Sequence, residues 1–275
     1  SGAIEATEWV GPYNDYFMKF YEAAQYYYTG GMHEPGGGIA FGMRAAKGAI
    51  EAFSLEPASW EPMLMTIGNV RPKGICGSGL IIMTAVMFEL GLINNQGKFN
   101  RDLSTNRIRE DNGVWEYVLA WRDETQIDRD ITLTEIDIEN LIRAKGAIYS
   151  GCMTLLNEVG MSISDIEHII LAGGFGSYID LEKAMTIGLL PEMDTDKVTF
   201  IGNGSLMGAR MSSLTNRIRQ DVSEVTKKMT NFELSDTPSY MDNYVAALFL
   251  PHTDMNQFPK LKSRLEARKK MTVNK

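Results

Sequence analysis

The stretch Ile166–Gly188, IEHIILAGGFGSYIDLEKAMTIG, limits what this chain can fold into more than any other. His168-Ile169-Ile170-Leu171-Ala172 is apolar, rich in β-branched residues and too short for a helix, so it reads as a buried strand. It breaks into Gly173-Gly174-Phe175-Gly176-Ser177, after which Asp180 stands where it caps a helix running to Gly188. A strand that ends in glycines and feeds a helix brings backbone close to a flat or anionic ligand. The helix start adds free N–H groups and a partial positive charge. The same residues also suit a plain tight turn, and spacing alone does not separate the two readings.

Two further junctions have the same form. Gly74-Ile75-Cys76-Gly77-Ser78-Gly79 opens an apolar helix from Leu80 to Leu90 that stops at Gly91, with Ser78 read as its cap; the free N–H groups near Gly77 and Ser78 suit a phosphate, and the same small residues suit a helix start packed tightly against a neighbour. Cys76 reads as a small buried apolar residue, because no His or Asp stands near it in sequence. Val198-Thr199-Phe200-Ile201 reads as a strand running into Gly202-Asn203-Gly204, then a helix through Leu214 and on toward Met229. Strand–helix–strand–helix order argues for a parallel sheet whose ligand crevice lies at the carboxyl ends of its strands, where the loops at 173–176 and 202–204 open together.

The rest of the chain supplies scaffold. Tyr13, Tyr16, Phe17, Phe20 and Tyr21 fall at helical spacing and read as a core or subunit contact, which leaves room for a homodimer. The run Phe41–Phe53 reads as a short helix or turn, 63–70 and Val114–Leu119 as strands, and Asn112-Gly113 as a turn. Thr134-Glu135-Ile136-Asp137 gives a cap for the longest helix, up to Gly160, with Ile138, Leu141, Ile142, Ile148, Cys152, Leu155 and Leu156 as its apolar stripe. Arg143 and Lys145 on that helix read as solvated, the usual case, although a basic residue two or so turns into a helix can also reach a nucleotide. Residues 260–275 carry seven Lys or Arg against one Glu and read as a mobile basic tail.

Composition narrows the function classes. A net charge of −8 argues against a nucleic-acid backbone or an anionic membrane surface as partner. The two cysteines, Cys76 and Cys152, cannot build a zinc or iron–sulfur site, so no metal ligands are assigned. Sparse cysteine, no secretory leader and no apolar run of about 20 residues point to the cytoplasm. The chain does not begin with Met, which reads as a piece of a longer polypeptide.

RPKGICGSGL (71–80), NLIRAKGAIY (140–149), ILAGGFGSYID (170–180), FIGNGSLMGAR (200–210) and MDNYVAALFLPHTD (241–254) together resemble the carboxyl-terminal region of the reductive activators of corrinoid proteins. The resemblance covers roughly residues 32–259, between an unmatched lead-in at 1–31 and the tail at 260–275. It implies an α/β fold of the actin-like ATPase type, a mixed sheet with flanking helices, shared with acetate and sugar kinases and heat-shock ATPases. It also implies ATP-dependent return of a Co(II) corrinoid to Co(I) for a corrinoid protein of a methyltransferase system. By that resemblance Gly173, Gly174, Phe175 and Gly176 lie against the adenosine of ATP, Gly77 and Ser78 lie nearer the phosphates or hinge, and Gly202 and Asn203 line the same crevice. Mg2+ accompanies the nucleotide, and the iron–sulfur cluster belongs to a domain outside this chain. The family's D-x-G-T phosphate hairpins do not occur in the sequence. That departure keeps two alternatives open: a partner-binding domain of the same fold that uses no nucleotide, and a small-molecule kinase. The kinase needs a catalytic carboxylate that cannot be assigned among Asp128, Asp130 and Asp180.

Overall fold

A computed structural model describes residues 38–173 and 179–273. The aromatic stripe before residue 31 and the glycine-loop residues Gly174, Phe175 and Gly176 lie outside the described residues. The chain divides into two units, Ser1–Ala144 and Lys145–Lys275.

In the first unit, β1 (Ala49–Leu55) buries Phe53 and Leu55 and exposes Glu51 and Ser54. It pairs antiparallel with β2 (Pro62–Thr66) and parallel with β3 (Gly74–Ile75), giving a mixed sheet in the order β2-β1-β3. Residues 49–53 were expected in a helix or turn and are strand instead. Their Ala and Glu favour helix weakly, and pairing on both sides overrides that preference. Helix α1 (Gly77–Leu90) packs on β1 and is apolar nearly all round, with Leu80, Met83 and Met87 at 1% exposure or less. It ends at Gly91 in a left-handed conformation, whose N–H reaches back to the Met87 and Phe88 carbonyls.

A second, antiparallel sheet follows in the order β4 (Ile108–Asp111), β5 (Val114–Ala120), β6 (Ile131–Thr134). The Asn112-Gly113 turn between β4 and β5 has positive φ at both residues, the mirror-image turn that suits the twist of a hairpin. Tyr117 Oη donates to the Trp60 carbonyl at 2.7 Å, tying the middle strand to the loop between β1 and β2. The Thr134 hydroxyl and amide donate to Asp137 Oδ2 at 2.8 and 2.9 Å, and the Asp137 amide donates back to Thr134 Oγ1 at 3.0 Å. This reciprocal box starts α2 (Glu135–Glu158). The other Asp137 oxygen accepts the Ala40 amide at 2.8 Å, so a nearly buried carboxylate is fully occupied.

The second unit holds the remainder of α2 and a two-stranded parallel sheet, β7 (Ile169–Leu171) with β8 (Val198–Phe200). Around it come α3 (Leu181–Thr186), α4 (Gly204–Leu214), α5 (Asn216–Thr226), α6 (Pro238–Ala246) and α7 (Pro259–Val273). The strand at β7 was expected to be buried, yet Ile170 is 63% exposed and Phe200 37%. A parallel sheet ordinarily carries cover on both faces, and no described residue of this chain supplies it there. One long helix from 204 toward 229 was expected. It is divided at Thr215, whose backbone is extended and whose hydroxyl accepts the Arg217 amide at 3.1 Å.

Residues 260–273, read as a mobile tail, are part of helix α7, and Leu261 is 1% exposed. Glu192 Oε1 and Oε2 accept the Lys260 and Leu261 amides at 2.7 and 2.9 Å, so a side chain from afar caps this helix. Pro259 at its start was the sequence signal that the charge count hid.

Candidate functional site

Both glycine junctions of the second unit sit at the same edge of the parallel sheet, as the strand order requires. The Ile201 amide donates to the Leu171 carbonyl at 3.0 Å, and the Gly173 amide donates to the Gly202 carbonyl at 2.6 Å. The ladder therefore continues beyond both strands and joins the two turns. Gly173 (φ +112°) and Gly202 (φ +64°) both occupy backbone conformations that favour glycine, and a methyl group built on either would meet nothing within 4 Å among the described residues. Open space at these two positions is what a ligand approaching backbone needs.

Helix α4 starts at this edge. Asn203 is its N-cap, and the Asn203 side-chain oxygen accepts the Leu206 amide at 2.9 Å. Gly204 is tight where its neighbours are open: a Cβ there would lie 3.3 Å from Ala172 and 3.2 Å from Ile201. Its glycine thus lets α4 start close beside the end of β7. Of the first-turn amides, that of Gly204 donates to the Gly202 carbonyl at 2.9 Å and that of Leu206 to Asn203, so it is mainly the helix dipole that faces the edge at which both turns open. On the other side of the loop, α3 is capped by Asp180, which accepts the Lys183 amide at 3.0 Å as its sequence position indicated.

The first unit places Gly77 and Ser78 in the opening turn of α1, both half-buried. Ser78 does not cap the helix: the N-cap is Cys76, which makes no side-chain cap bond. Cys76 is 2% exposed, with its sulfur 3.1 Å from the Ile50 carbonyl and 3.3 Å from Ser78 Oγ. The outer glycines of that motif serve packing. A Cβ at Gly74 would meet the Phe41 carbonyl at 2.5 Å, and one at Gly79 the Ile50 carbonyl at 2.1 Å. The junction pairs a helix start with a close strand contact, and its half-buried first turn leaves Gly77 and Ser78 as candidates.

Sequence reasoning missed one polar cluster. Lys145 was read as solvated and is fully buried, its ammonium donating to the Phe249 carbonyl at 2.5 Å and the Pro251 carbonyl at 2.6 Å. Burial lowers its pKa from the ordinary 10.5 to about 7. Beside it Tyr149 donates to Gln257 Oε1 at 2.7 Å and packs against His252 with the rings tilted by 51° and their centres 5.5 Å apart. Burial, reinforced by Lys145, holds His252 below its usual value. The signal was present: Lys145 and Tyr149 continue the phase of Ile138, Leu141 and Ile142 around the helix, which is the buried phase.

A cleft of about 500 Å³ in the second unit is lined by Glu182, Thr186, Glu192, Asp194, Lys260 and Arg264, among others. It contains none of the glycine positions. Its side chains are engaged with one another, Lys260 with Asp194 at 2.6 Å and Arg264 with Thr186 at 3.1 Å. Asp128, one of the carboxylates considered for a kinase, is exposed and paired with Arg122 at 2.7 Å, and Asp130 accepts from Arg109 at 2.8 Å. Among the described residues no group of three or more His, Cys, Asp or Glu is arranged to hold a metal ion, and no helix is long and apolar enough to cross a membrane.

Comparison with known proteins agrees with the resemblance read from the motifs. The chain is 34% identical over 217 residues to the corrinoid activation enzyme RamQ of Eubacterium limosum, covering 76% of this chain and 36% of that protein. It is 29% identical over 215 residues to the [Co(II) methylated amine-specific corrinoid protein] reductase of Methanosarcina barkeri, covering 71% and 36%. Among solved structures it is similar to a reductive activator for corrinoid, iron–sulfur protein, with a TM-score of 0.75, 45% identity and coverage of 82% of this chain and 36% of that one. The chain thus spans about a third of the length of the relatives it matches. Residues 30–262 match the family described as the C-terminal domain of RACo, the ASKHA domain, and the chain belongs to that family of actin-like ATPase domains.

Proposed function

We propose that this chain forms part of the ATPase-like domain of a reductive activator, which uses ATP to drive a corrinoid protein from Co(II) to Co(I) in a methyltransferase system. The observation that carries the nucleotide assignment is the edge where Gly173, Gly202 and the start of α4 meet. Two open left-handed glycines beside a helix N-terminus suit a flat base and its attached anionic groups. Gly173 to Gly176, Gly202 and Asn203 would take the adenosine side. Gly77 and Ser78, at the start of α1, would take the phosphate or hinge side. When bound, ATP with Mg2+ supplies the free energy that the reduction step needs.

These residues bind and orient; they carry out no redox step. ATP biases the partner complex only so far as its affinity differs between two conformations. An iron–sulfur cluster would supply the electron to the corrinoid; two cysteines cannot hold one, so we assign that cluster to polypeptide outside this sequence. A cytoplasmic location and a homodimer are part of the same proposal.

The experiment is anaerobic. A Co(II) corrinoid protein is mixed with this chain, an iron–sulfur electron donor and MgATP, and the corrinoid absorption is followed. ATP-dependent appearance of Co(I) is expected. Calorimetry with MgATP on the chain runs alongside: Co(I) formation indifferent to ATP, together with no binding heat, overturns the proposal in favour of a partner-binding domain that uses no nucleotide.

A further inference from the structure

Helices α4 and α5, 11 residues each, contain no buried residue between them. Helices of that length are marginal in water unless one face is packed, so a pair that hides nothing calls for cover. Both are patterned for burial. Met207, Met211 and Leu214 recur at i, i+4 and i+7 on α4. Val222, Val225 and, just past the helix end, Met229 recur at i, i+3 and i+7 on α5. Such stripes ordinarily face a core. Here all six residues are 42–75% exposed. Arg219 Nε donates to the Ser212 carbonyl at 2.7 Å, which ties the start of α5 to the end of α4 and makes the pair one arm.

Charge identifies the kind of surface that covers the arm. Residues 204–229 carry five Lys or Arg against two Asp or Glu, a local excess of +3 in a chain whose total is −8. Arg219 is engaged with α4, whereas Arg210, Arg217, Lys227 and Lys228 form no ion pair among the described residues. Two copies meeting arm to arm would bring like charges together, which disfavours a second copy of this chain. The complement is an apolar groove bordered by carboxylates on a different protein. An amphipathic helix docks in such a groove through its stripe, and its flanking charges speed the encounter.

We propose that the α4–α5 arm is the docking surface for the corrinoid protein, which receives it in an apolar groove rimmed by Asp and Glu. This rests on the reading of the chain as part of a reductive activator. A reductant must release its partner after each turnover, and the interfaces of redox partners are small and short-lived. An exposed arm that joins an apolar stripe to a basic border suits contact that forms fast and lets go.

The test measures binding of a Co(II) corrinoid protein to the whole protein by surface plasmon resonance, at low and at high salt. Val225→Asp puts a carboxylate into the stripe, and Lys227→Glu with Lys228→Glu reverses the charge beside it. All three positions are exposed. Val225→Asp is expected to weaken binding about tenfold, mainly through faster dissociation. The double reversal is expected to slow association about tenfold at low salt and to change it little at high salt. Hydrogen exchange across 204–229 should be fast in the protein alone and slow once the corrinoid protein is added. Should Val225→Asp melt α5, the double reversal, which leaves the stripe intact, decides alone. Unchanged binding by either variant overturns the proposal and leaves the activator reading standing. Slow exchange across 204–229 in the protein alone also overturns it: a second copy covers the arm if dilution restores fast exchange, and the protein's own polypeptide covers it if dilution does not. Absence of binding by the unsubstituted protein overturns both the proposal and the partner assignment beneath it.

Discussion

Gly79→Ala is expected to loosen α1 from β1, and the size of the effect follows from one distance. A methyl group at residue 79 would stand 2.1 Å from the Ile50 carbonyl oxygen and 3.0 Å from its carbon. Comfortable contact is about 3.5 Å, so strand and helix must part by roughly 1 Å. That carbonyl also accepts the Cys76 amide at 3.3 Å and lies 3.1 Å from its sulfur, so the displacement strains the helix start too. Overpacking of this kind costs about 1–3 kcal/mol. The higher helix propensity of Ala returns at most about 1 kcal/mol, and less in a first turn. A net loss of about 1–2 kcal/mol, with a denaturant slope of about 1–3 kcal/mol per molar, lowers the urea midpoint by about 1 M. The assay is built into the sequence: Trp60, Trp115 and Trp121, the tryptophans among the described residues, all belong to the first unit, and their fluorescence follows it. Gly208→Ala is the control, because a Cβ in the middle of α4 meets nothing within 4 Å. It should strengthen that helix by up to about 1 kcal/mol, read by circular dichroism. A fluorescence midpoint unmoved by Gly79→Ala would refute the packing argument.

Other perturbations test other parts of the chain. Between pH about 7 and 10.5 the unfolded chain keeps a proton that folded Lys145 has released, so stability of the second unit should rise with pH across that window. A denaturation midpoint that falls over the same range would contradict the buried state of Lys145. Glu192→Ala removes the cap on α7 and should cost about 1 kcal/mol, seen as a fall of a few degrees in Tm; an unchanged Tm would show that the cap contributes nothing. Asn203→Ala should cost about 1 kcal/mol through α4 and also weaken ATP, measured as a smaller ligand-induced rise in Tm than in the unsubstituted protein.

Local rules made much of the fold legible. The Thr134–Asp137 box, the Asp180 cap, the Asn112-Gly113 turn and the Gly91 stop each depend on residues within a few positions of one another, and each stands where the sequence put it. What escaped depends on distant partners. Residues 49–53 become strand because β2 and β3 flank them. Lys260 and Leu261 enter a helix because Glu192 reaches their amides from 68 and 69 residues away. Lys145 is buried because two carbonyls more than a hundred residues later are turned toward it. For the site, the pairing of Gly173 with Gly202 was implied by strand order, whereas the cap at the first junction fell to Cys76 and not Ser78. A hydroxyl in the first turn can serve a neighbour as readily as a helix end, and here its neighbour is the Cys76 sulfur.

The uncovered faces of the second unit bear on how the chain behaves as a colloid. Leu206, Leu214, Val225 and Met229 are 58–75% exposed, on or beside helices α4 and α5, neither of which contains a buried residue. Copies carrying eight net negative charges repel one another in dilute buffer. Salt shortens that repulsion to about 8 Å at physiological strength, and sulfate further favours burial of apolar surface. The chain should therefore disperse at low ionic strength and self-associate as sulfate is added, with light scattering rising well before either unit unfolds.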